Sequence, residues 1–209
     1  YLESPTGGEI LFKGKDIATF RGKDKRNYYQ KVQMIFQDPL ATFSPRMTIG
    51  TYMTEPYVNF KLMKKKEAYK YARELLKDVG LSEDMMKRHP NELSGGQLQR
   101  VVIARAIGLK PDLLICDECT SALDVSIQKE IIELLVDLKS EREFSIVFIT
   151  HDLALAESVC NEIHVMKEGQ KVESLGNDII KEAKHSYTRQ LTQAVYSLKG
   201  FGKSHRYNN

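Results

Sequence analysis

Residues 112–152 read DLLICDECTSALDVSIQKEIIELLVDLKSEREFSIVFITHD, two apolar runs on either side of one amphipathic segment. Within Ser126–Arg142, Ile127, Ile131, Leu134, Leu135 and Leu138 recur at helical spacing, with Lys129, Glu130, Glu133 and Asp137 between them. That pattern predicts a helix with one buried stripe. The flanking runs Asp112–Cys116 and Ser145–Thr150 are strand-length and continuously apolar. Such runs are expected of central strands in a parallel sheet covered by helices on both faces. Strand, helix, strand in that order points to an α/β protein.

Further strands are expected at Glu9–Lys13, Lys31–Phe36, Glu162–Lys167 and Lys171–Ser174, and further helices at Lys64–Val79, Gly96–Leu109, Leu153–Val159 and Ser186–Leu198. The section from Thr48 to about His89 is rich in Met and Tyr and has no strand pattern, so it reads as a helical insertion in the α/β core. There is no internal repeat, and the polar tail Gly200–Asn209 is expected to fray.

At 209 residues, with 42% apolar and 28% charged content and a net charge of +3, the chain has the composition of an ordinary globular protein with a real core. The main basic cluster, Lys61–Lys66, leads into a helix and reads as a solvated helix start, not a nucleic-acid site. No apolar run approaches the roughly 18 residues needed to span a bilayer, and YLESPTGGEI is not a signal peptide. Cys116 and Cys119 form a C-x-x-C, but no second pair or suitable histidine follows. A structural role in a reducing compartment is expected for them.

The chemistry-bearing residues gather where strands end. Asp117 and Glu118 close an apolar strand, and ligands bind beyond the carboxyl ends of strands in open α/β sheets. One carboxylate there can hold Mg²⁺ beside a phosphate and its neighbour can polarise a water. Alone, the pair could equally be two solvated acids. His151 closes the run Ser145–Thr150, and Gln37 closes Lys31–Phe36 before Pro39. Each could be a plain strand cap or a group at the same sheet edge.

In Asn91–Arg100, NELSGGQLQR, Ser94 is placed as an N-cap and Gln97 completes a capping box. Gly95 and Gly96 bare the first turn, where helix N–H groups favour an anion. A well-capped helix and nothing more is the bland alternative.

Taken together, VQMIFQDP, LSGGQLQRVVIARA, LLICDE, SALD and FITHD in that order resemble the ATP-binding-cassette (ABC) ATPase family over nearly the whole chain. The resemblance implies a P-loop NTPase-like cassette: a mostly parallel sheet core flanked by helices, with an α-helical subdomain inserted. It implies four parts: 1–47, the N-terminal part of the core ending in the Q-loop; 48–92, the helical subdomain; 93–176, the signature helix and core with Walker B, D-loop and switch histidine; and 177–209, a helical extension and tail. Gln37 is then the Q-loop glutamine. Leu93–Gln97 is the signature, with Ser94, Gly95, Gly96 and Gln97 contacting ATP held by another subunit. Asp117 and Gln37 serve Mg²⁺, Glu118 is the catalytic base, Asp124 the D-loop aspartate and His151 the switch histidine. ATP and Mg²⁺ are the implied substrate and cofactor.

QDPLATFSPRMTI, SALDVSIQKEI and HSYTRQLTQAV look like the ATPase subunits of oligopeptide, dipeptide and nickel importers. The implied partners are a second cassette, identical or paralogous, two transmembrane permease subunits and, indirectly, an extracytoplasmic substrate-binding protein, with no nucleic acid. The implied place is the cytoplasmic face of the membrane, as a peripheral subunit. Residues Tyr52–Phe60 are expected to meet the membrane subunits, through exposed aromatics and Met. The competing reading is a non-transport ABC ATPase, or an inactive cassette with an assembly or regulatory role.

Three departures stand out. The family's phosphate-cradling loop, G-x-x-x-x-G-K-S/T, does not occur: Gly14-Lys15-Asp16 lacks the hydroxyl, and Ser197–Ser204 ends in GKS without the first glycine or a preceding strand. The first strands and Walker A are thus missing. These residues are expected to be part of a longer chain and to bind ATP poorly by themselves. Cys119 stands where the family usually has proline after the acidic pair, and TFSPR varies the usual SLNPR.

Overall fold

A computed structural model describes residues 5–44, 46–176 and 183–198. The tail Gly200–Asn209 and the end of Ser197–Ser204 lie outside the described residues. The chain forms two compact units, Tyr1–Val147 and Phe148–Asn209.

In the first unit, β1 (Leu11–Phe12) and β2 (Lys15–Asp16) form a short antiparallel hairpin. It is shorter than the strand expected over Glu9–Lys13, because Lys13 and Gly14 both turn with positive φ. Helix α1 (Gly22–Lys31) follows and was not expected: it buries none of its residues, so it carries no apolar stripe to read. Strand β3 (Val32–Ile35) pairs in parallel with β4 (Leu113–Asp117), Met34 facing Ile115 and Ile35 facing Cys116 in register. Strand β5 (Ser145–Ile149) completes the sheet order β3-β4-β5. Its start is set by the Ser145 N–H, which donates to the Asp112 carbonyl at 3.0 Å.

The α/β class, a parallel sheet with flanking helices, is as expected, though part of the sheet is left open among the described residues. Leu114 and Cys116 are fully buried on one face, while Met34 and Val147 on the neighbouring strands and Phe36 just past β3 stay exposed. No described element of the first unit closes over those three side chains.

Residues 48–92 contain helices and 3-10 turns and no strand. In α2 (Ile49–Asn59) the Thr48 hydroxyl accepts from the Thr51 N–H. Helix α3 (Lys65–Asp78) buries Ala68, Ala72, Leu75 and Leu76, one stripe at helical spacing. Both pack on α4 (Gly95–Gly108), with the Tyr71 hydroxyl donating to the Gly108 carbonyl at 3.1 Å. The aromatics and Met expected to be exposed at Tyr52–Phe60 are not. Tyr52, Met53 and Tyr57 are buried, because the apolar face of α2 turns into the helical core.

Helix α5 (Val125–Arg142) buries Ile131, Ile132, Leu135 and Leu138 and ends at Glu143 in the left-handed conformation. Arg100 ties three helices, donating to the Val79 carbonyl at 3.0 Å and pairing with Glu130 at 2.9 Å. Arg142 at the end of α5 pairs with Asp78 at the end of α3.

The second unit contains α6 (Leu153–Val159), the antiparallel pair β6 (Ile163–Lys167) and β7 (Gln170–Leu175), and α7 (Ser186–Leu198). Its core is Ala156, Ile163, Val165 and Leu175, with Tyr187 and Leu191 of α7 against it. The Glu173 carboxylate accepts from the N–H groups of Lys184 and His185, serving the start of α7 from β7.

Candidate functional site

Strands β3 and β4 run parallel, so their carboxyl ends open on the same edge. There, Gln37 beyond β3 and Asp117 at the end of β4 line one cleft of about 590 Å³. The cleft is also walled by Phe36, Asp38, Tyr52 and Arg105. Arg105 sits over the Tyr52 ring at 4.3 Å and pairs with Glu55 at 3.5 Å. These contacts fix the guanidinium on the α4 side of the cleft.

Two oxygen-bearing side chains on a cleft suit Mg²⁺ only in part. This ion keeps waters and takes one or two protein oxygens together with substrate phosphates. Among the described residues no group of three or more His, Cys, Asp or Glu could hold a metal by itself. Gln37 and Asp117 therefore fit an ion that arrives with a phosphate ligand.

Glu118 follows at φ +46°. Left-handed backbone is uncommon outside glycine and asparagine. The other non-glycine residues with positive φ turn hairpins or end helices: Lys13, Lys61, Lys110, Glu143 and Glu168. Glu118 does neither. It leaves a strand, and its carbonyl accepts from both the N–H and the hydroxyl of Ser121, at 3.0 and 2.9 Å. Strain of this kind collects at functional sites.

A second cleft of about 320 Å³ adjoins the same turn. It is lined by Gln37–Leu40, by Pro90, Asn91 and Leu93, by Gly95, Leu98 and Gln99 of α4, and by Cys119, Ala122 and Leu123 after β4. At its rim the capping box is present: the Gln97 N–H donates to Ser94 Oγ at 3.3 Å and the Ser94 N–H to Gln97 Oε1 at 3.0 Å. Ser94 and Gly95 are exposed, and no acidic residue stands in the first turn. The N–H groups at the head of a helix lack intrahelical partners, so those of Gly95 and Gly96 are open to an anion. The Gln97 amide is bent back onto Ser94.

The bare first turn has a second cause the sequence did not show. A Cβ on Gly96 would stand 2.6 Å from Ile127 Cγ2, so glycine also lets α4 approach α5. Gln99 was not singled out either. It is fully buried, and neither its Oε1 nor its Nε2 has a partner in the protein. Leaving a buried amide unpaired costs about 1–3 kcal/mol.

Asp124 is exposed, and its carboxylate caps α5, accepting from the Ile127 N–H at 3.0 Å and Ser126 Oγ at 2.7 Å. These bonds hold it below the usual carboxylate range. His151 belongs to the second unit and is exposed; its neighbour Asp152 caps α6 through the Leu155 N–H. Cys116 and Cys119 are buried. A hydrogen bond with Cys119, then burial, pushes the Cys116 thiol far up, which suits inert packing and not redox or zinc chemistry. No described helix is long and apolar enough to cross a membrane.

A family model described as "ABC transporter" matches residues 1–121. A probable peptide ABC transporter ATP-binding protein of Sinorhizobium fredii is 43% identical over 93% of this chain and 55% of its own length. The oligopeptide transport ATP-binding protein OppF of Escherichia coli is 41% identical over 93% of this chain and 59% of its own length. The chain thus spans a little over half the length of these relatives. Among solved structures, cbiO1 of Clostridium perfringens, part of the ABC transporter complex cbiONQ, gives a TM-score of 0.75 at 28% identity, over 95% of this chain and 75% of that one. The ATP-binding cassette MJ0796, in a dimeric post-hydrolysis state bound to ADP and Pi, gives 0.70 at 29% identity, over 84% and 76%.

Proposed function

The chain belongs to the ABC transporter family, and on that premise we propose that it is part of the ATP-hydrolysing subunit of an importer for oligopeptides or dipeptides. The observation that carries the reading is the cleft at the carboxyl edge of β3 and β4, where Gln37 and Asp117 converge. Strained Glu118 stands next along the chain. The peptide cargo is supported by the names of the relatives; nickel, also implied by the resemblance, is the alternative cargo.

In this reading two cassettes pair, and the open first turn of α4 meets the γ-phosphate of ATP held by the partner. The N–H groups of Gly95 and Gly96 and the Ser94 hydroxyl donate to it, in a helix end free of acidic side chains. Gln97 holds Ser94 in place through the capping box. Glu118 orients and deprotonates the attacking water. Asp117 and Gln37 place oxygens for Mg²⁺, which when bound offsets charge on the phosphates. Asp124 shapes the start of α5, and His151 takes the switch role by resemblance. The 209 residues alone bind Mg·ATP weakly, since no glycine-rich lysine loop occurs among them. Two permease subunits and an extracytoplasmic binding protein complete the assembly, with this subunit on the cytoplasmic face.

Glu118→Gln in the full-length protein tests the assignment. Turnover is expected to fall by about 10²–10⁴-fold while nucleotide binding persists. Full turnover in that variant overturns the catalytic role. Co-purification with two membrane subunits separates an importer from a non-transport ATPase.

A further inference from the structure

We propose that Gln99 is a positioning residue that couples the phosphate-facing start of α4 to the turn carrying Gln37. The inference rests on the reading that α4 caps a phosphate. Gln99 lies one turn into α4, fully buried, with no partner in the protein for either end of its carboxamide. It faces a cleft of about 320 Å³ whose walls are the turn Gln37–Leu40, the turn before α4, and the segment after Asp117 and Glu118. Gln37 opens the first of these segments, Ser94 and Gly95 follow the second, and Asp117 and Glu118 immediately precede the third.

A glutamine amide offers two N–H donors and an acceptor oxygen. The Pro39 carbonyl already accepts from the Thr42 N–H and hydroxyl and the Pro90 carbonyl from the Leu93 N–H, so among the described residues the acceptors left for Nε2 on the facing turn as the cleft narrows are the carbonyls of Gln37 and Asp38. Leu98, its neighbour on the cleft wall, fills space with hydrocarbon alone. Arg100, next along, spends its guanidinium on Val79 and Glu130. Gln99 alone of the three keeps its polar atoms uncommitted at the junction. A group unpaired in the wide cleft and paired in the narrow one favours the narrow one, which is the differential a switching element needs. A phosphate drawing in the first turn of α4 would then pull the Gln37 turn with it, through Gln99.

Gln99→Met in the full-length protein tests this, since methionine matches the length and flexibility of glutamine without its hydrogen bonds. ATP turnover is expected to fall about tenfold, the loss of roughly one hydrogen bond. The KM for ATP stays unchanged, and the thermal midpoint is unchanged or raised. Hydrogen exchange should show Mg·ATP protecting backbone amides 37–42 in the wild type and not in the variant. Wild-type turnover in Gln99→Met, a lowered thermal midpoint, or no nucleotide-triggered protection of 37–42 in the wild type would each overturn the proposal. The parent reading fails separately, by full turnover in Glu118→Gln.

Discussion

At its C-terminal end α4 is wedged: a Cβ on Gly108 would stand 2.1 Å from the Tyr57 hydroxyl and 2.4 Å from Leu75 Cδ1. At its N-terminal end Gly95 is exposed, and a Cβ there would meet only Leu123 Cδ2, at 3.4 Å. One residue type serves close packing at one end of the helix and access at the other. Gly96 belongs to both, bare toward the proposed phosphate site and pressed on Ile127. Folding and chemistry therefore sit on one helix yet can be separated by substitution.

The sharpest separation comes at Ser94. Aspartate caps helices as well as serine does, so Ser94→Asp should keep the thermal midpoint. It also puts a carboxylate where the proposed phosphate approaches. Turnover is expected to fall by about 10²-fold or more, on the scale of losing a phosphate or oxyanion contact, while Ser94→Asn, a neutral cap, loses far less. Full activity in Ser94→Asp would break the comparison by removing the anion from this end of α4.

The opposite end should respond in stability alone. Gly108→Ala forces a methyl into Tyr57 and Leu75, and overpacking of this kind costs about 1–3 kcal/mol. Denaturant unfolding should show that loss, with turnover per folded molecule preserved. Gly96→Ala should lose less, because Ile127 lies on a helix surface and can turn aside, and Ile127→Ala should restore its stability. An undiminished unfolding midpoint in Gly108→Ala would mean that the α2–α3–α4 contact is looser than these distances.

What could be read in advance follows the same division. Helix α6 was legible to the residue, helped by its Asp152 cap, as was α7. The central strands were legible from their apolar runs. Helix α1 was not, since a helix that buries nothing leaves no period in its sequence. Tyr52 and Tyr57 misled because aromatic composition does not say which way a face turns; α3 and α4 took it. Gln99 was invisible for a plainer reason: glutamine is mostly exposed in proteins, and only the fold reveals this one as buried.

The start of α5 makes the smallest test, because it is capped by a charge where α4 is capped by a neutral pair. Bonds from the Ile127 N–H and the Ser126 hydroxyl hold Asp124 below the usual carboxylate range. A carboxyl with a depressed folded value binds its proton less readily when folded than when unfolded. Its contribution is therefore complete above the unfolded value of about 3.9 and lost as pH falls through the depressed one. Asp124→Asn keeps a good cap and has nothing to titrate. Asp112, lowered chiefly by its bond to Lys13, and Glu173, lowered by the nearby Thr188 side chain and by the N–H groups at the start of α7, add acid sensitivity to both proteins equally. The difference in urea midpoint between wild type and Asp124→Asn should thus be steady from neutral pH down to the ordinary aspartate range and shift against the wild type below it. A difference that stays constant through the acid range would mean that Asp124 does not hold α5 by its charge, and the contrast with the neutral cap of α4 would lose its electrostatic basis.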